Sequence, residues 1–163
     1  MSTSDAIPEV SLTHIDESGQ ARMVDVSERD ISVRVATASA KVLLSSQVIA
    51  AMRDRSIPKG DVLATARIAA IMGAKKTSEL IPLCHPIAIH SVQVALEIED
   101  DGVAIHTCVT TADRTGVEME ALTAASVAAL TVIDMVKSSD PHAVISHVQM
   151  ESKDGGRNGA WKR

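Results

Sequence analysis

Asp134 and Lys137 stand three residues apart in a stretch that is otherwise almost uncharged, a spacing that puts both on one face of a helix. An Asp near a helix C-terminus meets the negative end of the dipole, and partial burial would raise its pKa further. That is the direction a general acid or base working near neutrality needs. The neighbouring lysine counters that shift and would hold a negative substrate. The plainer alternative is an exposed ion pair worth about 0.2 to 0.5 kcal/mol. Lys59-Gly60-Asp61 places a cation beside a flexible glycine and the start of a predicted helix, where free backbone N–H groups attract anions such as phosphate. A solvated turn lysine is the competing reading there.

Cys84-His85-Pro86 follows an apolar run and is bracketed by Pro82 and Pro86, so His85 is held where it could orient a substrate or shuttle a proton. His106 and Cys108 lie two apart on a predicted strand, and with Cys84 and His85 they would make four soft ligands. Their spacing matches no zinc pattern, and no metal site is expected. Glu118-Met119-Glu120 opens a long helix, where a capping role accounts for Glu118. Glu120 is left over and could bind an amino or guanidine-like group of a ligand. His14, His90, His142 and His147 have no partner pattern and read as surface or sheet-face residues. The basic tail, Lys153, Arg157, Lys162 and Arg163, either folds over an anionic ligand or frays.

The scaffold for these groups is bounded by composition. A chain of 163 residues, 45% hydrophobic and 23% charged, fits a single domain over residues 1–163. Trp161 is its one aromatic residue, so Val, Ile, Leu, Ala and Met must build the core. A single-stranded nucleic-acid platform, which needs stacking rings, is disfavoured. Sixteen Lys and Arg against 21 Asp and Glu give a net charge of −5. No broad polyanion-binding surface is expected, and an anionic ligand needs a local basic pocket. Two cysteines make no disulfide framework and no signal-like N-terminus is present, so a soluble protein of the reducing cytoplasm is expected. The apolar run from Ala121 to Met135 is broken by Thr123, Ser126, Thr131 and Asp134, short of the roughly 20 apolar residues of a membrane span.

Residues 1–20 are polar and aperiodic and read as a flexible arm. Alternation from Ile31 to about Leu43 predicts a strand that turns Arg34 away from the apolar side. Helices are expected over Gln47–Arg55, from an Asp61 N-cap to about Gly73, and from a Thr115-to-Glu118 capping box through Lys137. The proline-bracketed segment 77–86 suits one short helical turn. Strands follow over Ile87–Ile98, with a phase change near Ser91, and over Val103–Val109 after an Asp100-Asp101-Gly102 turn. Asp140-Pro141 breaks the long helix, Ala143–Met150 forms the last strand, and residues 152–163 read as a flexible basic tail. The long helix is apolar around most of its circumference and must be covered on most sides, by sheet, helices or another subunit. The order gives an α+β fold, mostly antiparallel and ferredoxin-like, with the sheet backed by helices.

Four stretches together resemble the cyclic pyranopterin monophosphate synthase family of molybdenum-cofactor biosynthesis (MoaC). They are Met23-Val24-Asp25-Val26-Ser27, Lys59 through Ala69, Leu80 through Pro86, and Thr115 through Thr123 continued by Asp134-Met135-Val136-Lys137. The resemblance runs from about Leu12 to Gly159. It implies conversion of 3′,8-cyclo-7,8-dihydro-GTP into cyclic pyranopterin monophosphate with release of pyrophosphate, in a homohexamer built as three dimers with active sites at subunit interfaces. Asp134 matches the family's catalytic aspartate, Lys137 the lysine beside it, and Lys59 the lysine of the Lys-Gly-Asp turn. Leu83, Cys84 and His85 match one substrate-contacting segment, and Met119 and Glu120, with Glu118 beside them, the other. Arg34, Lys75 and Lys153 fall where the family uses basic residues around the triphosphate and ring. Arg157 stands where the family often has a lysine, with charge kept.

The implied chemistry opens and rebuilds the guanine-derived ring while a ribose hydroxyl attacks the innermost phosphate. Both parts need proton transfer and charge neutralisation, and neither strictly needs a redox cofactor, so none is expected. Asp134 and Lys137 are then the acid-base pair, Lys59 with the arginines stabilises phosphate, and His85 positions or protonates the ring. The rival readings are a non-catalytic nucleotide or pterin-binding sensor on a ferredoxin-like fold, which needs no Asp-Lys pair, and a purely structural oligomerisation module.

Overall fold

From Ala36 on, every second residue of the first strand, Ala36, Ala38, Ala40 and Val42, is buried under the helices, and this strand sits at the centre of the sheet. The computed structural model describes residues 14–16, 18–157 and 159–163. Its elements are β1 (Ser32–Leu43), α1 (Ser46–Arg53), α2 (Val62–Lys75), α3 (Thr77–Leu80), β2 (Ile89–Ile98), β3 (Gly102–Asp113), α4 (Glu118–Val136), β4 (Val144–Asp154) and β5 (Trp161–Lys162). Strand order is β2-β3-β1-β4-β5 with every pairing antiparallel. The first four strands reproduce the βαββαβ ferredoxin-like pattern expected from the sequence.

Alanine dominates the helix–sheet interface. Ala66, Ala70 and Ala74 of α2 and Ala121, Ala124, Ala125, Ala128 and Ala129 of α4 are all buried to 1% exposure or less, and such small side chains let backbone elements approach closely. Gly73 is not the helix terminator its type suggests. It lies inside α2, where a Cβ would stand 2.8 Å from Val127 of α4, so it marks a helix crossing instead of a C-cap. The polar interruptions in α4 are absorbed by the helix itself. Ser126 and Thr131 donate to the carbonyls of Leu122 and Val127 at 2.8 and 2.7 Å. By length and composition α4 could cross a membrane, yet 56% of that stretch is buried inside the fold.

Local signals set most boundaries. The Asp61 carboxylate caps α2 by accepting from the Ala64 N–H at 2.9 Å. The phase change near Ser91 is a register shift between β2 and β3. Buried Asp140 accepts from the N–H groups of Ser45 and His142, tying the end of α4 to the start of α1. The expected capping box is absent: α4 begins at Glu118 with Val117 at the N-cap and no side-chain cap. The tail also differs from a frayed terminus, since β4 runs on to Asp154 and Trp161–Lys162 pair back onto Ser152 and Lys153. Of the polar N-terminal arm, residues 1–13 and 17 lie outside the described residues, and the rest turns back through an Ile15–Ala21 bridge.

Candidate active site

Where β1 begins and β3 and β4 end, a cleft of about 1040 Å³ opens between the N-terminus of α4, the 83–85 loop, the β4 end and residues 14–30. Leu83, Cys84, His85, Glu118, Met119, Glu120, Arg34 and Lys153 all line it, eight of the residues singled out from the sequence. Lys75 does not; it projects from the last turn of α2. Arg22, Arg29 and Arg157 also line the cleft, opposed by Glu28, Asp30 and Asp154. Arg22 and Arg29 carry no sequence signal of their own, but they flank the Met23–Ser27 motif.

Glu120 is the unusual group. Its residue is 4% exposed, and burial, opposed by a hydrogen bond from its own backbone N–H and then aided by the Glu118 charge, pushes its carboxyl up to about 7. Glu118 is held differently. Its carboxylate lies over Gly116, where a Cβ would come within 1.8 Å of Oε2, and pairs with Lys153 Nζ at 3.3 Å. Burial first, then the nearby Glu120, raises the Cys84 thiol, which favours its neutral form.

Arg34 is positioned by backbone carbonyls, its Nε and Nη2 donating to Asp113 at 3.1 Å and Arg114 at 3.3 Å. Gly156, with φ +76°, lies against it: a Cβ there would fall 2.0 Å from Nη1. The glycine pair 155–156 therefore lets the chain cross the guanidinium. His85 Nε2 bonds to the Val24 carbonyl at 2.8 Å.

Asp134, Lys59 and Lys137 form a second, separate cluster. Lys137 Nζ is 2.8 Å from Asp134 Oδ1, Lys59 Nζ is 3.4 Å from Oδ2, and Lys59 also donates to the Asp134 backbone carbonyl at 2.6 Å. The Asp134 side chain is 59% exposed. Hydrogen bonds to Lys137 and Lys59 hold its carboxyl below the ordinary value. This corrects the sequence expectation of a raised pKa: two ammonium groups outweigh the helix dipole, and burial is too slight to oppose them. Fourteen residues of α4, about 21 Å of helix, separate Asp134 from Glu120.

The four-ligand metal alternative does not assemble. Cys84 and His85 line the main cleft, while His106 and Cys108 line a smaller cavity of about 480 Å³ on the sheet face away from the helices. Among the described residues no three His, Cys, Asp or Glu are grouped to hold a metal ion.

Comparison with known proteins bears on most of the cleft. The model of the MoaC family matches residues 23–156. The chain belongs to the MoaC family. It is 62% identical over 152 residues to the cyclic pyranopterin monophosphate synthase of Streptomyces griseus, covering 93% of this chain and 86% of that one. A synthase of the same name from Nocardioides is 58% identical, covering 93% and 95% of the two chains. Cyclic pyranopterin monophosphate synthase 1 of Mycobacterium tuberculosis is 51% identical, covering 94% and 91%.

Proposed function

We propose that this MoaC-family chain is a cyclic pyranopterin monophosphate synthase, a lyase of molybdenum-cofactor biosynthesis. It converts 3′,8-cyclo-7,8-dihydro-GTP into the cyclic monophosphate and releases pyrophosphate. The observation that carries the reading is that the family match spans residues 23–156, a range that includes the cleft-lining segments 83–85, 115–120 and 153–156 and Lys59, Asp134 and Lys137. The cleft supplies what the ring needs: a buried proton-holding carboxyl at Glu120, the imidazole of His85, and the apolar walls of Leu83 and Met119. Arg34, Lys153 and the neighbouring arginines neutralise a polyanion. Asp134 and Lys137 transfer protons and Lys59 stabilises the phosphate under attack.

Ring chemistry and phosphate chemistry act on one substrate, yet their residues sit at opposite ends of α4. A second copy resolves this by bringing its Lys59–Asp134–Lys137 cluster to the cleft of the first, as an interface site in a homohexamer of three dimers requires. Ile68 and Met72, one turn apart on α2, and Leu130 on α4 are each more than half exposed, apolar surface that such an assembly would cover. The reducing cytoplasm is the compartment this reading expects.

The test is to incubate the purified protein with the cyclised GTP intermediate and assay pyrophosphate and the cyclic phosphate product, alongside Asp134→Asn. The native chain should form both and the variant neither. Tight binding without product would replace this reading with a ligand sensor.

A further inference from the structure

The Met23–Ser27 segment contributes to the cleft through its backbone as well as its position. Val24, sixty-one residues before His85 in sequence, turns its carbonyl onto His85 Nε2 at 2.8 Å. A carbonyl oxygen only accepts, so Nε2 must carry the proton. In the neutral ring Nδ1 is then the acceptor nitrogen, and among the described residues it has no hydrogen-bond partner. The segment making this contact is itself braced. Asp25 accepts from the Ser27 N–H at 2.8 Å, the Arg29 N–H bonds to the Val26 carbonyl at 3.0 Å, and the Arg114 guanidinium donates to the Ser27 carbonyl.

We propose that residues 23–27 form a strap whose Val24 carbonyl fixes His85 as the Nε2–H tautomer, making Nδ1 a hydrogen-bond acceptor for an N–H of the guanine-derived ring. Val24 is a positioning residue that acts through His85. The role of His85 narrows accordingly, from positioning or protonating the ring to accepting from it. This rests on the synthase reading for the identity of the ring, whereas the tautomer is a property of the protein alone. A carboxyl that holds its proton up to about pH 7, at Glu120, and an imidazole that accepts one hydrogen bond give the cleft a donor and an acceptor. Guanine-type edges carry N–H groups beside a carbonyl and present that same mixture.

Long-range ¹H–¹⁵N spectra of the native protein at mildly alkaline pH, assigned against His85→Gln, read the tautomer directly. The expected result is a His85 ring protonated at Nε2, with Asp25→Ala shifting the ring toward a mixture as the strap loosens. A ring protonated at Nδ1 overturns the proposal. Turnover adds a second reading. His85→Asn keeps a polar group near the Nδ1 position and His85→Gln keeps one near Nε2, so the Asn variant should retain at least about tenfold more turnover. Greater activity in the Gln variant would also overturn it. A native chain that yields no product would instead refute the synthase reading and leave the spectroscopic result to decide the tautomer.

Discussion

The two ends of α4 carry carboxylates of opposite character. Glu120, in the first turn, sits where the helix dipole favours a negative charge, yet burial lifts its carboxyl to about 7. Asp134, in the last turn, sits where the dipole opposes a negative charge, yet Lys137 and Lys59 hold it below the ordinary value. Solvent exposure and neighbouring charge outweigh the dipole at both ends, which contributes only about 0.3 to 1 kcal/mol at such positions. Burial thus retains a proton at one end up to about pH 7, and two lysines hold a charged carboxylate at the other.

The largest effects are expected at the exposed end. Asp134→Asn and Lys59→Ala should each lower turnover by about 10² to 10⁴-fold, the usual worth of a positioned proton-transfer or charge-stabilising group. Their thermal unfolding should barely change, because these side chains are largely solvated. An active Lys59→Ala enzyme would remove that lysine from the mechanism.

At the buried end the sign is reversed and stability responds. Glu120 goes from 4.5, its ordinary value, to about 7 on folding. Between those values the folded chain holds a proton that the unfolded chain has lost. Native stability should therefore fall as pH rises through that window, with the full loss above about pH 7. Glu120→Gln removes the cost. In urea titrations it should gain on the order of 2 to 3 kcal/mol over the native chain at pH 8, and little at pH 4. Equal pH dependence in both proteins would contradict the assigned burial.

Gly73→Ala would instead disturb the helix pair carrying both halves. A Cβ 2.8 Å from Val127 should cost about 1 to 3 kcal/mol of unfolding free energy, read from urea titrations. The smallest effect belongs to the half-buried Lys153–Glu118 pair at 3.3 Å, where Lys153→Met should lose about 1 kcal/mol of stability or less. Its turnover should fall more than its stability if Lys153 meets the polyanion.

Much of this was legible in residue order. Alternation in β1 and β2, the Asp61 cap and the Asp140-Pro141 stop report local interactions, and local interactions are written in neighbouring residues. Asp134 and Lys137 were readable as a pair because i and i+3 share a helix face. The pKa directions were only partly readable: Lys137 beside Asp134 was in view, but the burial of Glu120 and the second lysine, Lys59 arriving from 75 residues away, were not. Glu118 was misread as a cap because its partner, Lys153, comes from a strand beyond the end of its own helix. Arg22 and Arg29 escaped notice because nothing in their local sequence says that residues 14–30 form one wall of the cleft. The β5 hairpin was hidden by a glycine-rich composition that also fits a loose tail.

In the proposed homohexamer the two ends of α4 belong to one reaction carried out by two chains. Subunit mixing tests this most directly. Lys59→Ala lacks one half of the site and His85→Ala the other, so each should be inactive alone. Unfolded together and refolded at equal amounts, with hybrids verified by native mass spectrometry, they should recover about a quarter of native turnover, because each mixed dimer then holds one intact site of two. Hybrids that form and stay inactive would contradict the account and require the whole site to lie within one chain.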